Sequence, residues 1–550
     1  MELSKLMGCV KRPFIPSELF RDGLIDGAWL DPSDMSTMFQ DAAGTIPVTA
    51  VEQPVGLILD KSQGLMLGPE LVTNGNFDSG ITGWYVTGDV SGWSVVGGVA
   101  TCTSTAVSNR WLNSSSGIEI GKTYLVSITA TISAGVVATD SSGVSMLSNG
   151  SNVKIITAVT NVFRIIANAA FIGSIDNISV REIYGYHATQ SVTASRPTLS
   201  ARYNLLTKTE DFSNSAWVKD LSGTGAAPVV TTNYATAPDG SNTAARIVYA
   251  LNGGSTISDF SHITQSSVVA ANTNTTLGVW LKSTDGTTKK ILISMAGEVI
   301  KLVDVGNNWL FVAHTMFRAD TNYSVRIGLR GTFGTSDSAD ILIWHPDLRL
   351  GTTPGPYQRV NTVTDYDTNP ALFPKYLKFD GIDDYLNLPY MGLYANGSAS
   401  VVIGVTEFVQ SANNRLFGES STTTLAQYVL RNIPAGFDFV IEDNSGTFFM
   451  DMAETKGMNG SVYIMTSVDN GTTGKIFRNS NLSTGPYIYS RASNLVSLSN
   501  TTLGGVITKS GLANLILMNM YGLIVTKSAL TDAQRVRCER FLAQKAGVML

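Results

Sequence analysis

The chain has 550 residues, with 38 lysines and arginines against 43 aspartates and glutamates, a formal net charge of -5 and only 15% charged residues. That length allows roughly three domains, each with its own core. The chain lacks the basic stripe that a nucleic-acid groove needs and the apolar run of about 18 residues that a membrane helix needs, so neither partner is expected.

Residues 1–26, opening MELSKLMGCVKRPF, have basic residues with no apolar run behind them, so no secretory leader is expected. They read either as an arm that attaches the chain to a partner or a neighbouring subunit, or as a terminal strand or helix docked on the chain's own sandwich. Cys9, Cys102 and Cys538 stand far apart and form no CxxC pair. That pattern predicts isolated thiols, neither a disulfide framework nor a zinc site, in a chain made in a reducing cytoplasm. Glycine, serine, threonine and asparagine are abundant, and short runs such as KTYLVSITATI and TLGVWLKST are broken by turn residues. The expectation is an all-β protein of three β-sandwich or jelly-roll domains.

Residues 27–66 hold GAWLDPSD and LILDKSQG, and the text then changes character. The block 67–184 opens ELVTNGNFDSGITGW and closes SIDNISVREI, two phrases that resemble the ends of carbohydrate-binding jelly rolls. Trp84, Trp93 and Trp111 are its candidates for stacking on a sugar ring, because an exposed aromatic face supplies contact area for a pyranose; filling the core of a small sandwich is the rival role for each and the favoured one. Jelly rolls of this resemblance often carry a structural calcium between first and last strands, for which Glu70, Asp78 and Asp176 are the available oxygens; turn-forming and capping roles explain the aspartates equally well.

Residues 185–201, GYHATQSVTASRPTLSA, read as a linker returning to the interrupted text. The block 202–360 opens NLLTKTEDFSNSAW and repeats the layout of the first, as a second jelly roll. Its opening resembles a module that recurs in structural proteins of tailed bacteriophages. His262, His314 and His345 fall here without the spacing that sets two ligands on one strand face, so they read as ordinary packed or solvated side chains.

Residues 361–550 contain YLKFDGIDDYLNLP, a phrase that resembles the first strand and turn of laminin-G-like, concanavalin-type sandwiches. Phe379, Tyr385 and Leu388 are expected inward, and Asp380, Asp383 and Asp384 in the turn. Such sandwiches sometimes hold calcium, which would fall on those three aspartates. LTDAQRVRCERFLAQKAGV, residues 530–548, predicts one helix capped by Thr531 and ended by Gly547. Ala533, Val536, Phe541 and Leu542 are its expected apolar face.

Removing 65–184 joins LILDKSQG to YHATQ, which points to one discontinuous sandwich carrying inserted ones; independent beads on linkers are the rival arrangement. The joined text with RPTL and YLKFDGIDDYLNLP resembles tail-fibre, head-fibre and other appendage proteins of tailed bacteriophages and prophages. The resemblance implies a virion structural protein made in the host cytoplasm, a homo-oligomer and most simply a trimer, bound to other virion proteins through the 1–26 arm. Its implied target is host cell-surface polysaccharide or lipopolysaccharide, reached through lectin-like sandwiches during adsorption.

The alternative is a purely architectural or decorating protein of capsid or tail. A tail-spike depolymerase would need paired carboxylates across a cleft, and no catalytic phrase, GxSxG, HExxH or β-helical repeat is present. The expectation is a non-enzyme that requires no cofactor beyond structural calcium.

Overall fold

The computed structural model describes residues 13–21, 25–89, 92–139, 145–268, 273–295, 299–318, 322–362, 365–366, 369–408, 413–434, 436–454, 460–490 and 498–550. Among these the strands are antiparallel throughout, helix is confined to short segments and to Asp532–Ala546, and the architecture is a set of β-sandwiches.

One sandwich gathers strands from three distant stretches. In its eight-stranded sheet, Gly27–Leu30 and Tyr376–Asp380 both pair with Leu517–Thr526, with Trp29 opposite Ile524 and Leu377 opposite Met520. Thr198–Ser200 continues that sheet, with Leu199 opposite Leu377. In the facing nine-stranded sheet, Ala188–Thr189 lies between Leu57–Ile58 and Leu386–Leu388. The alternation of strand side chains turns Leu30, Ile58, Ala188, Leu199, Phe379, Ile403, Phe417 and Leu523 into one buried core.

Between Leu57–Ile58 and Ala188–Thr189 the chain builds a sandwich of its own, a five-stranded and a six-stranded sheet around Phe77, Trp84, Phe163 and Phe171. Between Thr198–Ser200 and Tyr376–Asp380 it builds another from two five-stranded sheets, with Trp217, Tyr249, Ile263 and Ile343 inside.

The turn where the first passage departs is pinned from both sides. Asp60 is fully buried, and its carboxylate accepts the amides of Trp29 at 2.7 Å, Ser62 at 2.8 Å and Tyr186 at 2.8 Å. His187 accepts the amide of Asp60 on Nδ1 at 2.9 Å. Residues 60–62 and 186–187 are therefore locked together, although more than a hundred positions separate them in sequence.

The helix Asp532–Ala546 has the expected ends: Thr531 and Gln534 form a reciprocal capping box, and Gly547 closes it at φ 69°. Its buried face differs from the expected one. Cys538, Leu542, Ala543 and Ala546 pack on Val402, Ile464, Tyr521 and Ile524 of the eight-stranded sheet, while Ala533 is exposed. Arg535 and Glu539 turn inward as an ion pair at 2.7 Å, and Glu539 also accepts from Thr466 and Ser480. Residues 1–12 of the expected attachment arm lie outside the described residues. Of the remainder, Leu19 and Phe20 pack into the same cluster as Trp29 and Leu542, and Phe14 meets Phe541 edge-on at 6.4 Å.

Candidate functional site

The site expected in the first jelly roll is not assembled by its tryptophans. Trp84 and Trp93 are core residues, 5% and 7% exposed, and pack on Phe77 and Phe171 at 5.4 and 5.9 Å. Neither offers a face to a sugar. Trp84 opens the strand Trp84–Gly88 and Trp93 immediately precedes the strand Ser94–Val96, and both rings turn toward the small core of that sandwich. Trp111 alone lies half-buried on the outside of its sheet, over Gly88, where a Cβ would meet its ring at 2.4 Å.

The carboxylates expected to hold calcium there are also dispersed: among the described residues Glu70, Asp78 and Asp176 form no group able to share an ion. Glu70 joins the first strand to the last directly, accepting the amide of Val180 at 2.8 Å and the hydroxyl of Ser179. Asp78 pairs with the Asn76 amide and Asp176 with Asn177. Asp380, Asp383 and Asp384 do come together, with oxygens within 4.8 Å of one another. Turn chemistry occupies part of them: Asp380 accepts the amides of Ile382 at 2.8 Å and Asp383 at 3.2 Å, and Asp384 accepts that of Asp380 at 2.9 Å. Burial, together with Asp380 and Asp383, pushes the Asp384 carboxyl up to about 7. This crowding fits a cation, and these three residues are the ones that would hold calcium.

The aromatic surface that sugar recognition calls for lies in the second jelly roll. Along Thr273–Ser283, Leu277, Val279 and Leu281 point into the core, so Gly278 and Trp280 point out. Along Leu310–Arg318, Val312 is inside and Phe311 is 41% exposed outside. Ser338–Leu350 lies beside Thr273–Ser283, but the register breaks between Gly278, opposite Asp347, and Trp280, opposite Trp344. The extra residue is a bulge in which His345 adopts φ 50°, and it turns the imidazole to the same outer face.

The result is a cleft of about 240 Å³ lined by Gly278, Trp280, Phe311, His345, Asp347, Pro354, Gly355 and Tyr357. It is smaller than the roughly 300–1,000 Å³ of pockets for drug-sized molecules and suits a single ring. Trp344, His345 and Tyr357 stack in series, with centroids 3.3 and 3.5 Å apart, and Trp280 meets Phe311 at 5.2 Å. Gly278 makes room for this: a Cβ there would lie 2.9 Å from the Phe311 ring.

Behind the rings the polar groups are fixed. Arg349 grips Asp347 with two bonds of 2.6 and 2.7 Å, and the Gln358 amide adds a third at 2.9 Å. The Tyr357 hydroxyl pairs with Thr209 at 2.7 Å and donates to Glu210 at 3.3 Å. Burial lowers the pKa of His345, with Glu210 opposing, so the imidazole is neutral at pH 7. The wall is rigid, aromatic and acceptor-rich.

Sequence reasoning passed over this site by weighing only the tryptophans of the first jelly roll. The alternation in TLGVWLKS, which sets Trp280 out of phase with Val279 and Leu281, was the readable signal. The other main clefts are more polar: one of about 380 Å³ beside the Lys122–Glu182 ion pair and Tyr186, and one of about 220 Å³ beside Asn470 and Asp532.

No family model and no curated protein matches the chain. Among solved structures it is similar to the Ruminococcus gnavus IT-sialidase CBM40 bound to α2,3-sialyllactose, at 17% identity and TM-score 0.22, over 26% of this chain and 82% of that one. Domain 4 of AbnA, a GH43 extracellular arabinanase from Geobacillus stearothermophilus in complex with arabinotriose, matches at 14% identity and TM-score 0.24, over 35% and 88%. The enzymatically active domain of bacteriophage CBA120 tailspike protein 4 matches at 20% identity and TM-score 0.21, over 28% of this chain and 22% of that one.

Proposed function

We propose that the chain is a non-enzymatic glycan-binding structural protein of a tailed-bacteriophage appendage, such as a tail fibre, acting as a homo-oligomer, most simply a trimer. The observation that carries the glycan reading is the cleft of Trp280, Phe311, His345 and Tyr357. The half-buried Trp280 indole and the exposed Phe311 phenyl ring supply the flat apolar contact that a sugar ring stacks on, and neutral His345 sets a fixed polar edge beside them. The appendage reading rests on the resemblance carried by residues 27–64, 185–219 and about 354–390. One such cleft per chain binds weakly, and oligomerisation multiplies it against a repeating surface polysaccharide or lipopolysaccharide.

The chemistry of the cleft favours binding over cleavage. Glycoside hydrolysis needs an acid and a base free to exchange protons on either side of the sugar. Asp347, held by Arg349 and the Gln358 amide, has its oxygens committed. The test is a glycan array of host surface polysaccharides and lipopolysaccharides with the folded chain and its Trp280→Ala variant. Binding that the substitution weakens about tenfold or more is expected. No binding by either would leave the architectural reading, and release of reducing sugar from host capsule would make the chain a depolymerase.

A further inference from the structure

The second jelly roll has another sheet, in the order Val218–Ser222, Phe260–Val268, Asn322–Arg330, Lys289–Met295 and Val299–Val305. Ile263, Ile293 and Ile327 fill the core from it. By alternation the outer face carries His262 and Thr264 on one strand and Arg326 and Arg330 on the next, with His262 opposite Gly328 and Thr264 opposite Arg326.

The polar groups on this face are not satisfied by the protein. His262 is 1% exposed, yet neither ring nitrogen has a hydrogen-bond partner, and the same holds for Thr264 Oγ1 and Arg326 Nε. Buried polar groups are almost always paired, so four such atoms on adjacent strands point to a missing partner. Two guanidiniums, Arg326 and Arg330, outnumber the one carboxylate beside them, Asp220, whose attraction acts on Arg330. Arg330 donates to the Ile257 carbonyl at 2.7 Å and lies over the Phe260 ring, which stacks on His262 at 4.9 Å. Asp220 lies opposite His262 on the edge strand. Lys290 and Asp304, further across, are occupied with each other at 3.8 Å.

Burial and the two guanidiniums hold His262 down to about 3, so it faces the site as a neutral imidazole. A planar oxyanion meets the donors of this cluster: it accepts from the guanidinium fork of Arg326, from the Thr264 hydroxyl and from the one N–H of neutral His262, and leaves only the second imidazole nitrogen without a donor. We propose that this face is an anion-binding site that takes a carboxylate, with half-buried Arg326 as the group that swings to admit it. The carboxylate can belong to an acidic sugar or to a free small acid. Only the first source rests on the glycan reading above, and the site itself lies on the sheet opposite the aromatic cleft.

The test uses the full chain with isotope-labelled histidine, since four histidines give resolvable signals. Sodium glucuronate, sodium acetate and glucose are titrated separately. Glucuronate is expected to shift the His262 resonance and raise its pKa by about one unit or more, and glucose to leave it still. Acetate acting as well as glucuronate assigns the site to free acids; glucuronate acting alone assigns it to acidic sugars. Arg326→Gln should weaken the effect about tenfold or more, Arg326→Lys should retain part of it, and Trp280→Ala should leave it intact. A folded chain whose His262 signal responds to neither anion would overturn the site. So would a response that Trp280→Ala abolishes, which would place the ligand in the aromatic cleft.

Discussion

His187 Nδ1 accepts the backbone N–H of Asp60 at 2.9 Å while its Nε2 lies 2.9 Å from the Ile183 carbonyl, so the buried ring is neutral with its proton on Nε2. A second proton on Nδ1 would face a donor. Burial, which outweighs the opposing attraction of Asp60, accordingly lowers the pKa of His187 below 6.5. The unfolded chain takes up that proton near pH 6.5 and the folded chain does not, so this contribution to stability is present above 6.5 and is lost as pH falls below it. The loss runs at up to about 1.4 kcal/mol per pH unit. Thermal melts from pH 7.5 to 5 should show it in the parent and not in His187→Asn, which keeps an acceptor without a titration. Identical profiles would refute the assignment.

Asp60 holds Tyr186 through its amide, and Gly185 lies close enough that a Cβ would sit 2.7 Å from the Asp60 carboxylate. Joining Gly64 to Gly185 by deleting 65–184 should therefore leave a soluble chain that melts cooperatively and keeps the Trp280 cleft. Aggregation of the shortened chain would show that the departing sandwich supports the frame.

Substitutions at the tryptophans should separate packing from binding. Trp84→Ala or Trp93→Ala removes a core ring and should cost about 3–5 kcal/mol by denaturant unfolding. Trp280→Ala should leave the melting midpoint nearly unchanged and weaken glycan binding about tenfold or more.

At the Asp380–Asp384 turn the sign of the pH effect is the reverse of that at His187. The folded chain keeps a proton on Asp384 to about pH 7, whereas the free carboxyl releases it at 3.8. The contribution is fully present below the unfolded value and disappears as pH rises through about 7. Asp384→Asn should thus raise the melting midpoint at pH 8 and change little at pH 4. Calcium raising the parent midpoint at pH 8, but not that of Asp384→Asn, would show ion and proton competing for the same oxygens.

The inward Arg535–Glu539 pair invites a double-mutant cycle. Arg535→Met leaves the Glu539 charge buried and should cost about 3–5 kcal/mol, while adding Glu539→Leu should recover most of it.

The strands and the helix were readable because alternation and capping are local. The capping box of Thr531 and Gln534 and the stop at Gly547 are written in adjacent residues. The buried face of that helix was not readable, because Arg535 and Glu539 can enter only as a pair with Thr466 and Ser480, which lie on distant elements. The site failed to show for a related reason. The phase of Trp280 is written in its own strand, but the phase of Ser338–Leu350 reverses at a bulge where a non-glycine residue, His345, takes φ 50°, so the imidazole wall of the cleft was hidden. The clustering of Asp380, Asp383 and Asp384 was visible because one turn contains all three.

The locked contact of Asp60, Tyr186 and His187 means that the first inserted sandwich leaves and returns at one point, with the frame closed behind it. A passage held that way is a natural joint for recombination. Its replacement by an unrelated fold with neighbouring termini asks nothing new of the core around Phe379 and Leu523. Changes within that passage are thereby mechanically separated from the frame that carries it.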